Sequence, residues 1–237
     1  MLLHDQWLLV VAVAGLYLYD SAMLLFHNEV VLEARGQRYV ISAGSAMEFG
    51  GRHPWLPNPC FPHRALARLS WPLAGSPDWR PARWRRARLA LSVIAPWTWW
   101  LLGLFFVGLP LVLRFGSDVV LLGWLLLTYL SIAAMLAQVW RRRKALGLAP
   151  RAVFALAIDA LLCAPFALNM VRKISLRQSA SASLRGFTSS MLSAAERTAV
   201  AGLLRDRIHT SLDHVEPGSE AGAALGAYLD LYKDDIP

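Results

Sequence analysis

Apolar positions along the chain fall into four long runs, separated by polar or basic stretches. The runs are Trp7–Phe26, Leu89–Leu113, Val119–Trp140 and Ala152–Val171. Each matches the roughly 20 apolar residues that a membrane-spanning helix needs. The first and fourth runs each contain a single aspartate, and the other two contain no charged residue. The pattern predicts an all-α membrane protein built on a four-helix transmembrane bundle.

The long segment between the first two runs, residues 27–88, has a different pattern. Apolar β-formers at 30–32 and 39–41 flank the short sequence Arg35-Gly36-Gln37, which predicts a β-hairpin. Residues 53–63 read HPWLPNPCFPH and contain four prolines. Since each proline fixes its own φ and pushes the preceding residue towards an extended conformation, this stretch is interpreted as a stiff strap.

The tail predicts a Ser-rich linker followed by two amphipathic helices. Ser193 and Glu196 have the spacing of a capping box, and apolar residues follow at helical spacing from Val200 to Leu212. A Pro-Gly turn at 217–218 separates this helix from a second one, so that the pair forms a helical hairpin. The predicted organisation is 1–26 (first transmembrane helix), 27–88 (loop with hairpin and strap), 89–171 (three further transmembrane helices) and 172–237 (linker and helical hairpin).

Composition and charge place the protein in a bilayer. The chain is 56% hydrophobic with a net charge of +8, and its arginines concentrate in residues 27–88 and 141–151. This alternation of basic and non-basic loops predicts that the N-terminus is outside and that both basic loops are cytoplasmic, and it leaves the side of the tail open. Nucleic acid is therefore not an expected partner. We instead expect anionic lipid headgroups at five arginines, Arg80, Arg83, Arg85, Arg86 and Arg88.

The strap also carries three metal-ligand types, Cys60, His63 and His53. Structural zinc takes four ligands, usually as two pairs, and no second pair follows nearby. We therefore expect no metal and no other cofactor, with the prolines rather than the ligand types shaping the segment.

The two intramembrane aspartates are the other candidates for chemistry. With 1.5 Å of rise per residue, Asp20, Thr98, Ser131 and Asp159 fall at one depth and could form a polar belt. No arginine is placed at that depth, so the carboxyl groups are expected to be hydrogen-bonded, protonated or paired with each other. Ala155, Asp159 and Cys163 recur every four residues, which predicts that Asp159 faces another helix.

No phosphate-binding loop or hydrolase motif is present, which argues against an enzyme without excluding one. The leading hypothesis is a multi-pass inner-membrane protein, bacterial by its arginine- and alanine-rich composition, that acts as a non-enzymatic accessory, scaffold or assembly subunit. It would act with a membrane-protein partner or as a homo-oligomer. The alternatives are a proton- or cation-coupled transport component using Asp20 and Asp159, and a metal-dependent membrane enzyme using Cys60 and His63.

Overall fold

The computed structural model describes residues 2–26, 28–70, 80–179, 184–213, 216 and 218–230. The chain divides into two units, and each unit is assembled from three separate segments. The first unit comprises Met1–Ala22, Leu56–Ala65 and Arg83–Gln178, and the second comprises Met23–Trp55, Leu66–Ala82 and Ser179–Pro237.

The first unit is helical. Its elements are α1 (Leu2–Ser21), α2 (Pro81–Leu91), α3 (Ala95–Gly103), a π-helical segment (Leu104–Gly108), α4 (Leu109–Phe115), α5 (Asp118–Arg142), α6 (Pro150–Leu162), a 3-10 segment (Ala164–Asn169) and α7 (Met170–Ser179). Two helical stretches, 81–115 and 118–142, are long and apolar enough to cross a membrane. The apolar part of α1, Trp7–Ser21, is shorter.

Pro110 explains the π-helical segment between α3 and α4, because it has no N–H to donate to the preceding turn. The Leu104 carbonyl accepts the N–H of Leu109, five residues on. It also accepts the indole N–H of Trp124 on α5 at 3.0 Å. A Cβ at Gly108 would lie 3.2 Å from that indole nitrogen, so glycine makes room for the ring.

α6 and α7 form a helical hairpin. α6 ends at Leu162, just before Pro165, and the Leu161 carbonyl that the proline cannot satisfy accepts a hydrogen bond from the Tyr129 hydroxyl at 3.3 Å. The Arg177 guanidinium donates to the Ala152 carbonyl at 3.0 Å, which brings the end of α7 beside the start of α6. Both ends of this hairpin therefore lie at the same end of the unit.

Large apolar side chains cover the outside of the first unit. Phe115, Val119 and Leu162 are 78%, 78% and 83% exposed. Further exposed apolar residues on its helices are Trp7, Leu8, Val11, Val107, Leu111, Leu122, Leu126, Leu130, Phe154 and Ile158. A surface this apolar requires another apolar phase or a partner to cover it.

The described residues of the second unit form five strands and three helices: β1 (Met23–Phe26), β2 (Glu29–Arg35), β3 (Arg38–Ser42), β4 (Arg52–Trp55), β5 (Leu66–Ser70), α8 (Leu184–Met191), α9 (Ala194–Leu212) and α10 (Glu220–Asp230). β1 pairs with β4, and β3, β2 and β5 form a three-stranded antiparallel sheet in that order. The predicted hairpin is β2–β3, with Gly36 at φ +62° in its two-residue turn. The other edge of β2 is paired with β5.

Glu196 joins α9 to the sheet. Its carboxylate accepts the N–H and hydroxyl of Ser193 at 2.8 and 2.7 Å, which confirms the capping box. It also accepts the N–H of Tyr39 on β3 at 2.6 Å. Burial by itself raises the pKa of Glu196, but these hydrogen bonds and the charge of Arg38 outweigh burial and hold the pKa below its usual value.

The predicted all-α, four-helix transmembrane bundle is wrong. The described residues form two sheets as well as helices, and only two helical stretches have the length and apolarity of membrane spans. The fourth apolar run fails because α6 stops after 13 residues and the chain turns back. The first run is cut short because its last residues, 23–26, pair as β1. Hydropathy along a window detects neither a proline-induced reversal nor the start of a strand.

Candidate functional site

A polar cluster lies inside the helical first unit. We define it as Tyr17, Asp20, Ser21, Asn169, Arg172 and Lys173. α1 supplies the first three at positions i, i+3 and i+4, which share one helix face. The end of the 3-10 segment and the first turn of α7 supply the other three with the same spacing. Two short polar faces thus meet across about 150 residues of sequence, as in the hydrogen bond of 3.0 Å between Ser21 and Asn169.

Arg172 is the centre of the cluster and is only 3% exposed. Its guanidinium donates to the carbonyls of Asn58 and Phe61 at 2.7 and 3.2 Å. It also donates to the Asn169 side-chain oxygen at 3.0 Å and, at longer distance, to the hydroxyl groups of Ser21 and Tyr17. The planar fork of arginine suits this role, since it offers several donors in fixed directions.

Residues 56–63 of the strap belong to the first unit and are held by members of the same polar cluster. The Tyr17 hydroxyl donates to the Pro59 carbonyl at 2.6 Å, beside the two carbonyls bound by Arg172. On the other side, the His63 ring stacks on Trp99 at 5.3 Å and the Arg64 guanidinium covers Phe61 at 3.8 Å. The strap is therefore fixed through its backbone carbonyls and its aromatic side chains.

Lys173 links the two aspartates. Its ammonium lies 2.8 Å from the carboxylate of Asp20, which is 11% exposed and also accepts the Asn169 amide at 2.9 Å. The same ammonium lies 3.8 Å from Asp159, whose side chain is 49% exposed. It also sits 4.7 Å above the ring of Phe166. Asp20 is thus firmly held, whereas Asp159 is a loose, half-exposed partner.

This basic partner of the aspartates was not expected from the sequence. A continuous helix through 152–171 would place Lys173 beyond the end of the span, but the reversal after Leu162 returns α7 alongside α6. The same break ends the predicted small-residue face, because Cys163 lies outside α6 and Ala155 is exposed. The available signal was Pro165 together with the basic pair that follows Asn169.

The other two members of the predicted belt are satisfied elsewhere in the first unit. Thr98 is buried and donates to the Ala95 carbonyl at 2.8 Å. Ser131 donates to the Leu127 carbonyl at 2.7 Å and accepts the indole N–H of Trp100 at 3.0 Å. The hydrogen bonds of Thr98 and Ser131 therefore lie within and between α3 and α5, whereas Asp20 and Asp159 both contact Lys173.

The three metal-ligand types are used in different ways. Cys60 is exposed, and its backbone N–H is bonded to the Asn58 side chain at 3.0 Å. His53 belongs to β4 of the second unit, where its Nδ1 donates to the Ser45 carbonyl at 3.1 Å and its Nε2 accepts from Arg207 at 2.5 Å. In the part of the chain that the structure describes, no group of three or more His, Cys, Asp or Glu side chains could hold a metal ion.

The basic segment from Arg80 to Arg88 forms an amphipathic helix. Its Trp84 and Ala87 side chains are buried, whereas Arg85 and Arg86 are exposed. Arg80 and Arg83 are also exposed, and Arg88 is half-buried. The helix therefore presents its charges on one side.

Comparison of the chain with models of protein families, with curated proteins and with solved structures gave no match. The function of the protein is therefore inferred from the geometry of the two units.

Proposed function

We propose that this chain is an integral protein of a bacterial inner membrane that acts as a non-enzymatic scaffold or assembly subunit of a membrane complex. The observation that carries the proposal is the polar cluster of the first unit, in which the charged groups bind backbone and side chains of the same unit. Arg172 binds two strap carbonyls, and Lys173 pairs with Asp20. This arrangement supports a structural role for the cluster.

The outer surface of the first unit supports the membrane part of the proposal. Its exposed apolar side chains lie on helices α1, α4, α5 and α6, a distribution suited to contact with lipid chains. Non-helical backbone is tolerated at membrane depth only where protein or water satisfies it. The hydrogen bonds from Tyr17 and Arg172 to the strap carbonyls meet that requirement.

Contacts within the second unit bear on the topology. Glu196 binds the N–H of Tyr39, and Arg207 binds the carbonyl of Ala43 at 2.8 Å. Under this proposal, residues 39–43 and 196–207 lie on the same side of the bilayer, with an even number of crossings between them. We assign these crossings to residues 95–115 and to α5, with α6–α7 as a re-entrant hairpin.

The charge distribution then sets the orientation. The basic stretches 80–88 and 141–151 would lie on the cytoplasmic side, together with the whole second unit. The exposed arginines Arg85 and Arg86 would face anionic headgroups. The second unit would present its strands and helices to a cytoplasmic or membrane-bound partner.

One observation favours a second candidate, a proton-coupled transport component. Asp159 is half-exposed and lies 3.8 Å from Lys173, which is already bound to Asp20. An exposed carboxylate beside a lysine that is already paired is a group that a proton- or cation-coupled transporter could use. This candidate requires the carboxylate of Asp159 for activity, whereas the scaffold does not.

The experiment that tests the scaffold proposal is copurification of the tagged full-length chain from native membranes in mild detergent, combined with complementation of a deletion strain. We expect a stoichiometric membrane-protein partner, and we expect Asp159→Asn to retain both the partner and the phenotype. Ala155→Asn, on the exposed side of the same helix, is the matched control. A chain that purifies alone, with an Asp159→Asn variant that is folded but inactive, would replace the scaffold by the proton-coupled function.

Reporter fusions test the topology separately. Fusions at residue 47 and after Pro237 should report the same side, and a fusion at residues 116–117 should report the opposite side. Opposite sides for the first two would contradict the even number of crossings. Recovery of the whole chain in the soluble fraction would overturn the membrane proposal itself.

A further inference from the structure

An apolar groove runs between α5 and α6 on the outside of the first unit. It encloses about 330 Å³. α5 contributes Leu136 and Ala137 to its walls, and α6 contributes Val153, Phe154 and Ala157. The volume is at the lower end of the range for small-molecule sites. Apolar side chains of both helices line it, so an apolar chain is the kind of occupant that fits.

The mouth of the groove is aromatic and basic. Trp140 and Arg141, at the end of α5, complete the lining. The Arg143 guanidinium lies 4.4 Å from the centroid of the Trp140 ring. The centroids of the Trp140 and Phe154 rings are 6.4 Å apart, in an edge-to-face arrangement. Residues 141–151 form the end of α5, its connection to α6 and the start of α6. They contain no acidic residue and five basic ones, Arg141, Arg142, Arg143, Lys144 and Arg151. The field at this end of the groove is therefore positive.

We propose that the groove binds one anionic phospholipid, with an acyl chain between α5 and α6 and its phosphate at Arg141. The proposal rests on the membrane location proposed above. An acyl chain matches the apolar walls, and an anionic headgroup matches the acid-free basic connection at the mouth. Basic pockets between helices on the cytoplasmic side bind such headgroups, and tryptophan is favoured at the same interface.

The test uses the purified full-length chain in mild detergent, with phosphatidylglycerol and phosphatidylcholine added as probes at equal mole fraction. Native mass spectrometry counts the retained lipids, and thermal unfolding follows stabilisation by the bound lipid. We expect one phosphatidylglycerol per chain and no comparable retention of phosphatidylcholine. Arg141→Gln should weaken retention about fivefold, as expected for one basic side chain near a headgroup. Arg205→Gln, an exposed arginine of α9 in the second unit, should leave it unchanged.

A second pair of variants tests the groove itself. Ala157→Trp fills it and should abolish retention, whereas Ala155→Trp adds the same ring on an exposed position of α6 and should not. Should Ala157→Trp fail to fold, the arginine pair decides. Equal retention of both lipids, equal loss in Arg141→Gln and Arg205→Gln, or equal stabilisation by inorganic phosphate would each overturn the lipid site. A membrane-integrated chain without a bound lipid would sink this inference and leave the scaffold proposal standing, whereas a soluble chain would sink both.

Discussion

Replacing Arg172 by methionine tests whether the polar cluster holds the first unit together. Methionine keeps the apolar stem but removes the guanidinium, which donates to the carbonyls of Asn58 and Phe61 and to the side chain of Asn169 at 2.7, 3.2 and 3.0 Å. Arg172 is 3% exposed, so water has little access to replace these donors. Each strap carbonyl would lose its charged donor and keep only a backbone partner, the N–H of Phe61 for Asn58 and the N–H of Arg64 for Phe61.

The expected loss follows from these contacts. A hydrogen bond to a charged group contributes about 1.5–3 kcal/mol, and removing one member of a buried charged network costs about 3–5 kcal/mol. The two shortest bonds of Arg172 together correspond to about 3–6 kcal/mol, so we expect a loss of about 3–5 kcal/mol in the free energy of unfolding, where the two ranges overlap. For a domain of ordinary stability, about 5–15 kcal/mol, this is a large fraction of the total.

Unfolding in detergent micelles with increasing dodecyl sulfate measures this change, and limited trypsin digestion at Arg64 reports release of the strap. The control is Arg177→Met on the same helix, because Arg177 is exposed and makes one bond, to the Ala152 carbonyl. We expect the control to cost about 1 kcal/mol or less. Arg172→Lys should fall between the two, since lysine keeps the charge but not the fork. The role given to Arg172 is refuted if the free energies of unfolding of Arg172→Met and Arg177→Met differ by less than about 1 kcal/mol and trypsin cleaves both variants at Arg64 at the same rate.

Three further predictions concern single side chains. Asp20→Asn should lower the free energy of unfolding by about 2–3 kcal/mol in the same assay, because this carboxylate is closely paired with Lys173. Asp159→Asn should lower it by less than about 1 kcal/mol, because that carboxylate is half-exposed. A larger loss for Asp159→Asn than for Asp20→Asn would contradict the assigned geometry. The lowered pKa of Glu196 means that its stabilising contribution is present above the ordinary value of 4.5 and is lost as the pH falls through the lower folded-state value. Urea midpoints between pH 7 and pH 3 should show this loss, and Glu196→Gln should remove that part of the pH dependence. Gly44→Ala should cost about 2 kcal/mol more than Gly36→Ala, because both have positive φ but only at Gly44 would a Cβ meet a neighbour, at 2.7 Å; equal midpoints for the two variants would contradict this.

Local features of the second unit could be predicted from the sequence because their determinants lie within a few residues of one another. The turn glycine between Val31 and Val40 predicted the hairpin, and the spacing from Ser193 to Glu196 predicted the start of α9. The sequence did not reveal β5 as the third strand, because Leu66–Ser70 carries no turn signal and is defined by pairing with residues about 40 positions away. Nor did it reveal that the Glu196 carboxylate also binds the sheet.

In the first unit, the sequence by itself determined which stretches are apolar and helical, because hydrophobic content is a property of consecutive residues. It also predicted a proline-rich strap at residues 53–63, of which residues 53–55 pair with β1 as part of β4 in the second unit. Only the tertiary structure decided where that strap docks and which charges meet. Proline at 165 reverses the chain, and this reversal brings Lys173 between Asp20 and Asp159 and brings Arg172 to the carbonyls of the strap. The contacts of Lys173 with Asp20 and of Arg172 with the strap join residues more than 100 positions apart. Their geometry depends on the angle of a single helix break, which no local pattern encodes.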